Sequence, residues 1–168
     1  MPRDTKGYTF IEITVVVLLV GLMMALTIPR FRYALLTDNL KTATRRLVGT
    51  IKTIRSEAVR EQQGFILHFD LESNRFWIES GAMSEEERLI SHEKASSLPS
   101  GVSIIDVWLK GKGKKMAGET AIRFTKKGYV QQSAIHLGSE DGRRFTLVLS
   151  PFLVRVQVLE NYVEFEDI

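Results

Sequence analysis

The chain contains no cysteine. Disulfides, thiol nucleophiles and cysteine-based metal sites are therefore excluded, a composition that suits a reducing cytosol or an exported domain that folds without covalent staples. Other chemistry is scarce as well. No G-x-S-x-G or H-E-x-x-H occurs, and GKGKK lacks both the spacing of a phosphate loop and the Ser or Thr after its lysine. The three histidines, His68, His92 and His136, lie far apart without ligand spacing, and His68 and His136 read as strand residues rather than metal ligands. Glu140 and Asp141 in SEDG, with Glu164, Glu166 and Asp167 near the end, are the acidic candidates for calcium. They form no EF-hand loop and read as solvated carboxylates. No metal, no cofactor and no enzymatic activity are expected.

Net charge is also small. Lys and Arg exceed Asp and Glu by 23 to 20, a formal +3, too little to imply a polyanionic partner without a clustered basic face. Nucleic acid is accordingly not the expected partner. With 44% hydrophobic and 26% charged residues, most of the chain has the composition of a folded domain. It shows no internal repeat and no low-complexity linker.

The most informative gap is local. Residues 13–28 carry no charge and almost nothing polar. A spanning helix needs about 20 predominantly apolar residues, and residues 8–29 supply them if Glu12 is tolerated. A buried core helix would keep a polar face, and this run has none. Arg3 and Lys6 before it balance Arg30 and Arg32 after it, so charge leaves the orientation open. A secretory signal would have a shorter apolar stretch and an A-x-A-like cleavage site. TIPRFRYALLTD is not one, so the segment is expected to stay attached.

Two residues remain to be explained, Gly7 before the run and Glu12 just inside it. MPRDTKG followed by YTFIE and a long apolar helix resembles the leader and N-terminus of type IV pilin-like proteins. Pro29 sits where pilin helices commonly carry a proline. The resemblance implies cleavage between Gly7 and Tyr8 by a prepilin peptidase, methylation of the new Tyr8 amine, and a cytoplasmic N-terminus in the bacterial inner membrane. It also gives Glu12 a role. A carboxylate inside a bilayer costs several kcal/mol and is retained where it finds a partner, and in pilin-like assemblies that partner is the N-terminal amine of a neighbouring subunit. The alternative is a first-turn glutamate that favours the helix macrodipole, or one that lies at the level of the lipid headgroups.

Beyond Pro29 the helix is expected to turn amphipathic. Leu36, Leu40, Ala43, Leu47, Ile51, Ile54 and Ala58 recur at spacings of three and four, while Lys41, Arg45, Lys52, Arg55 and Arg60 fall largely elsewhere on the wheel. Gly64 is the expected stop. After it the period changes to two. FILHFD and NRFWIE around LESN predict a hairpin, and VSIIDVWL predicts a strand. Residues 80–101 are polar and predict a connecting loop with at most a short strand around Arg88 to His92. GKGKKMAGE predicts a Gly/Lys loop, TAIRFTKKGYVQQSAIHL a strand, turn and strand, and SEDG a tight turn into RRFTLVLS. Trp108 is expected to face the core. After Pro151, alternation of Leu153, Arg155 and Gln157 against Val154, Val156 and Val158 predicts a half-buried strand.

The expected fold is thus α+β, pilin-like: a long N-terminal helix, membrane-spanning in its first half and amphipathic in its second, packed on a C-terminal antiparallel β-sheet domain. The segments are a leader at 1–7, a membrane and filament-core half at 8–29, an amphipathic half at 30–63, and a periplasmic β-rich domain at 64–168. IRFTKKGYVQQSAIHL followed by RRFTLVLS, and TIRSEAVREQQGFILHFD before it, are similar to the GspH/FimT-type minor pseudopilins of type II secretion. That resemblance implies a structural subunit of a pseudopilus that supports protein export. Its partners would be major and minor pseudopilins in a filament, the prepilin peptidase, inner-membrane lipid and an inner-membrane assembly platform. The basic GRxR-type motif of DNA-binding FimT-like members has no counterpart in PFLVRVQVLENYVEFEDI. A pilus-associated minor pilin that takes part in pilus assembly or DNA uptake is the alternative within the family. An unrelated single-span protein with a periplasmic binding domain is the alternative outside it, and it would not need Gly7 and Glu12 together.

Overall fold

The computed structural model describes residues 9–152 and 155–165, with the side chains of residues 25–38 outside the description. The chain divides into two compact units, Met1–Leu35 and Leu36–Ile168.

Helix α1 runs over Phe10–Arg60. In the first unit its described side chains are all exposed and, Glu12 and Thr14 apart, apolar, Phe10 at 90% and Ile11 at 73% among them. Among the described residues no helix is long and apolar enough to cross a membrane. In the second unit α1 behaves as an amphipathic helix should. Leu40, Ala43, Leu47, Ile51, Ile54 and Ala58 are buried, and Lys41, Arg45, Lys52 and Arg60 are exposed. Burying a leucine or isoleucine contributes about 1.5–3 kcal/mol relative to exposure, so this stripe is the main attachment of the helix.

The helix ends three residues before the expected 63. Gln62, not Gly64, takes the left-handed conformation at φ 54°, and its side-chain amide donates to the Val59 carbonyl. That bond satisfies one of the carbonyls left open at a helix end.

The strands form two antiparallel sheets where a single one was expected. The first has the order β3-β2-β1-β6, from β1 (Phe65–Asp70), β2 (Arg75–Ser80), β3 (Ser96–Ser97) and β6 (Glu119–Phe124). The second has the order β5-β4-β7-β8-β9, from β4 (Val102–Leu109), β5 (Gly113–Lys115), β7 (Ser133–Ser139), β8 (Arg144–Leu149) and β9 (Gln157–Leu159). The hairpin β1–β2 is as expected. The strand, turn and strand of residues 120–137 is not a hairpin, because β6 and β7 enter different sheets. Phe65, Leu67, Phe69, Phe76, Ile122 and Phe124 of one sheet and Ile104, Val107, Ile135, Leu137, Leu147 and Leu149 of the other join the α1 stripe in one core.

Three further expectations are corrected. Within residues 80–101, Glu85–Glu93 forms helix α2. Ser84 accepts from the Glu87 backbone N–H while the Glu87 carboxylate accepts from the Ser84 N–H, the reciprocal capping box of an S-x-x-E sequence. The Gly/Lys loop contains a short edge strand, β5. The half-buried strand expected after Pro151 is reduced to β9, because the chain beyond it bonds to side chains on the outer face of the second sheet rather than to a strand edge.

Candidate functional site

The α1 N-terminus is the first region of interest. Thr9 caps it, with its carbonyl and hydroxyl oxygens accepting from the Glu12 N–H at 3.1 and 3.4 Å. Glu12 lies in the first turn and is exposed. It therefore sits where a carboxylate favours the helix dipole, at the mouth of a surface that is apolar but for Thr14. Gly7 and Tyr8 lie outside the described residues, as does the side chain of Pro29.

The histidines are drawn into two places. His68 and His92 meet at Trp77 on the outer face of the first sheet. The His68 ring stacks on Trp77 at 5.0 Å and 8°, and His92 meets it edge-on at 4.7 Å and 85°. Glu79 completes the group, accepting from the Trp77 indole at 3.1 Å and lying 3.3 Å from His68 Nε2. α2 is tied there by the Ser91 hydroxyl, which donates to the Ile78 carbonyl at 2.6 Å. The arrangement is a packed aromatic seat for α2. Among the described residues no group of three His, Asp or Glu side chains could hold a metal ion.

His136 is fully buried on the outer face of the second sheet, opposite Asp106, which is 1% exposed. The register between β4 and β7 slips between Ile104 and Asp106. Ile104 pairs with Leu137 towards the core, and two residues later Asp106 pairs with His136 on the other side. A β-bulge re-aims a side chain in this way. His136 Nδ1 lies 2.6 Å from Asp106 Oδ1, its Nε2 lies 2.8 Å from the Val163 carbonyl, and the Tyr162 hydroxyl donates to Asp106 Oδ2 at 2.9 Å. A carbonyl can only accept, so Nε2 carries a hydrogen. One further proton then lies between Nδ1 and Oδ1, whichever of the two holds it.

The same segment is held at further points. The Thr146 hydroxyl donates to the Asn161 carbonyl at 2.7 Å and accepts from the Val163 N–H at 3.1 Å. Phe165 stacks on Trp108 at 5.3 Å. Trp108 is thus buried, as expected, but beneath the C-terminal segment and apart from the main core cluster.

The Gly/Lys loop is partly occupied by the same segment. Lys114 donates to Glu164 at 2.9 Å and lies 5.3 Å from the centre of the Tyr162 ring. Tyr162 first, and Glu164 second, hold its amine above the ordinary lysine range. Of the acidic candidates, Asp141 pairs with Arg143, which holds its carboxyl below the usual range. Glu166 and Asp167 lie outside the described residues.

An α1 helix laid against antiparallel sheets, with the C-terminal segment pinned across one of them, is a pilin-like architecture. Two solved structures of the minor pseudopilin EpsH from the type II secretion system of Vibrio cholerae share this fold with the chain. One matches at TM-score 0.53 and 11% identity, covering 73% of this chain and 98% of that one. The other matches at TM-score 0.53 and 14% identity, covering 76% and 98%. No protein-family model matches the chain, and no curated protein matches it in sequence.

Proposed function

We propose that the chain is a minor pseudopilin, a structural subunit of a type II secretion pseudopilus that supports protein export across the outer membrane. The fold it shares with EpsH, a minor pseudopilin, carries the reading. The Gly7, Tyr8 and Glu12 pattern supports it independently. Its role is mechanical rather than catalytic. Residues 8–29 anchor the precursor in the bacterial inner membrane with the N-terminus cytoplasmic, and later pack in the filament core. The domain from 64 onward faces the periplasm and meets neighbouring major and minor pseudopilins. Prepilin peptidase cuts between Gly7 and Tyr8 and methylates the Tyr8 amine, and Glu12 then pairs with the amine of the next subunit on assembly at the membrane platform. The pairing of Lys114 with Glu164 takes one cation of the Gly/Lys loop out of play for phosphates, which favours this role over DNA uptake.

Mass spectrometry of membrane-extracted protein tests the assignment. A chain beginning at methylated Tyr8 is expected. An intact Met1 terminus in cells with an active prepilin peptidase would refute it.

A further inference from the structure

Among the described residues the two sheets end on four edge strands, and these are not alike. β3 is two residues long, β5 carries Lys114 and Lys115, and β6 carries Glu119 and Arg123 and is bridged at Phe124 by Val130. Shortness, charge and partial cover are devices that keep an edge from pairing. β9 is short, at three residues, but it has neither charge nor proline, and Val158 at its centre is 38% exposed. β8 takes one side of β9, and among the described residues no strand takes the other. Val158 pairs with Leu147, a residue of the core shared with α1, so its side chain points to the helix side of the sheet.

Beside that edge a groove of about 490 Å³ lies between β9 and α1. Val48, Phe145 and Val158 give it an apolar lining. From α1 it also takes Lys41, Arg45, Gly49 and Lys52, which lie three and four apart and so share one face. The three cations are exposed and form no ion pair among the described residues, and neither does Glu160, the exposed carboxylate of the lining. Gly49 is a second signal. A glycine inside a helix is less stable than alanine there, yet no atom outside its own turn of helix lies within 4 Å of where its Cβ would stand. The packing of this chain therefore does not call for the missing side chain. Close approach of another backbone is a physical reason that remains.

We propose that this groove takes an extended, acidic segment of a different polypeptide, which adds to the free edge of β9 as a further strand and sets carboxylates against Lys41, Arg45 and Lys52. Main-chain hydrogen bonds to β9 supply the attachment, and side chains at alternate positions supply the choice of partner. Three cations against one carboxylate select an anionic segment and speed its encounter with the groove. A strand beside β9 passes over Gly49, where a larger residue would stand in its way. The proposal deepens the subunit reading above by naming the chemistry of a neighbour, and it rests on that reading for the expectation that the domain has neighbours.

The test uses the full-length chain in detergent micelles and a short labelled peptide alternating glutamate with valine, followed by fluorescence anisotropy. Saturable binding is expected at low salt, and it should fall as salt is raised, because exposed charges are screened over about 3 Å at 1 M. The same peptide with lysine for glutamate is expected not to bind. Two analogues keep every charge, one N-methylated at the glutamates and one at the valines. Alternate N–H groups of a strand point to opposite edges, so one analogue is expected to bind about tenfold or more weakly, from the loss of two or so hydrogen bonds, and the other nearly as the parent. Gly49→Leu fills the groove. Because the position is open, Tm is expected to hold or rise while peptide binding falls about tenfold or more, which a misfolded chain would not show. No saturable binding at millimolar peptide, equal loss with both analogues, or binding untouched by Gly49→Leu would each overturn the proposal. So would self-association that Gly49→Leu removes, which would give the groove to a second copy, or binding of DNA or anionic vesicles without binding of the peptide. Cleavage after Gly7 is read separately by mass spectrometry. A cleaved chain that binds no peptide refutes the groove alone, and peptide binding by a chain that prepilin peptidase leaves intact refutes the pilin reading alone.

Discussion

Asp106→Ala is the substitution whose cost the structure defines best. The Asp106 carboxyl group is 1% exposed and bonded at both oxygens, sharing a proton with His136 Nδ1 at 2.6 Å and accepting from the Tyr162 hydroxyl at 2.9 Å. Alanine leaves the imidazole with one ring nitrogen unmatched and the phenol without its acceptor. Removing one partner from a buried, hydrogen-bonded pair of ionisable groups costs up to about 3–5 kcal/mol, mostly the cost of the group left behind. For a domain of this size, each kcal/mol lowers Tm by about 2–4 °C, so a fall of roughly 6–20 °C is expected. Tyr162→Phe removes one donor and keeps the ring stacked on His136, and should cost about 1–2 kcal/mol. Replacing the network by Asp106→Leu, His136→Leu and Tyr162→Phe together should recover most of the loss, because no polar group is then stranded. The assay is thermal unfolding of the full chain in detergent, followed by tryptophan fluorescence, with Trp108 reporting on the C-terminal segment through Phe165. A drop for Asp106→Ala no larger than for Tyr162→Phe would refute the shared-proton network. A triple variant less stable than Asp106→Ala would refute the argument that stranded polarity sets the cost.

Gly128→Ala should cost about 1–3 kcal/mol, since it combines a left-handed residue with a methyl group pressed on Val59; an unchanged denaturant midpoint would show that the turn does not need glycine. Acid should destabilise the domain. The Ser73 hydrogen bonds hold Asp70, and Arg143 holds Asp141, below the ordinary 3.8, so their stabilisation is present above about pH 4 and is lost as pH falls through the folded values. Asp70→Asn with Asp141→Asn should flatten that part of the stability curve, as urea titrations between pH 2 and 5 would report, and an unaltered slope would exclude these carboxylates as its source. Glu12→Ala should leave insertion and cleavage intact, since the run becomes more apolar, yet block recovery of the subunit in sedimentable filaments. Normal incorporation would remove the case for intersubunit pairing.

Local pattern was enough where one element's own periodicity carried the information. The buried stripe from Leu40 to Ala58 followed from spacings of three and four, and the β1–β2 hairpin from alternation about LESN. The miss at α2 was one of weighting. SEEE carries its capping signal openly, but a polar segment whose helix buries nothing offers no apolar period to go with it. The short β9 was a different error. Alternating residues after Pro151 describe a chain able to form a strand, and whether it pairs or lies across a sheet depends on what the face beneath it offers.

Two polar intrusions marked the buried network in advance, Asp106 within VSIIDVWL and His136 within SAIHLGS. Each alone reads as a residue on the wet side of a strand. They meet because a bulge turns Asp106 to the face His136 occupies, and because a segment from the far end of the chain supplies Tyr162 and the Val163 carbonyl. The same holds for Trp77 between His68 and His92. By itself the sequence determined the apolar run and its glutamate, the amphipathic helix and the strand-rich remainder, all properties of spacing along one segment. Only the tertiary structure decided the division into two sheets and the burial of a proton-sharing pair. Those depend on register and crossover between segments far apart in the chain, and no single segment's periodicity encodes them.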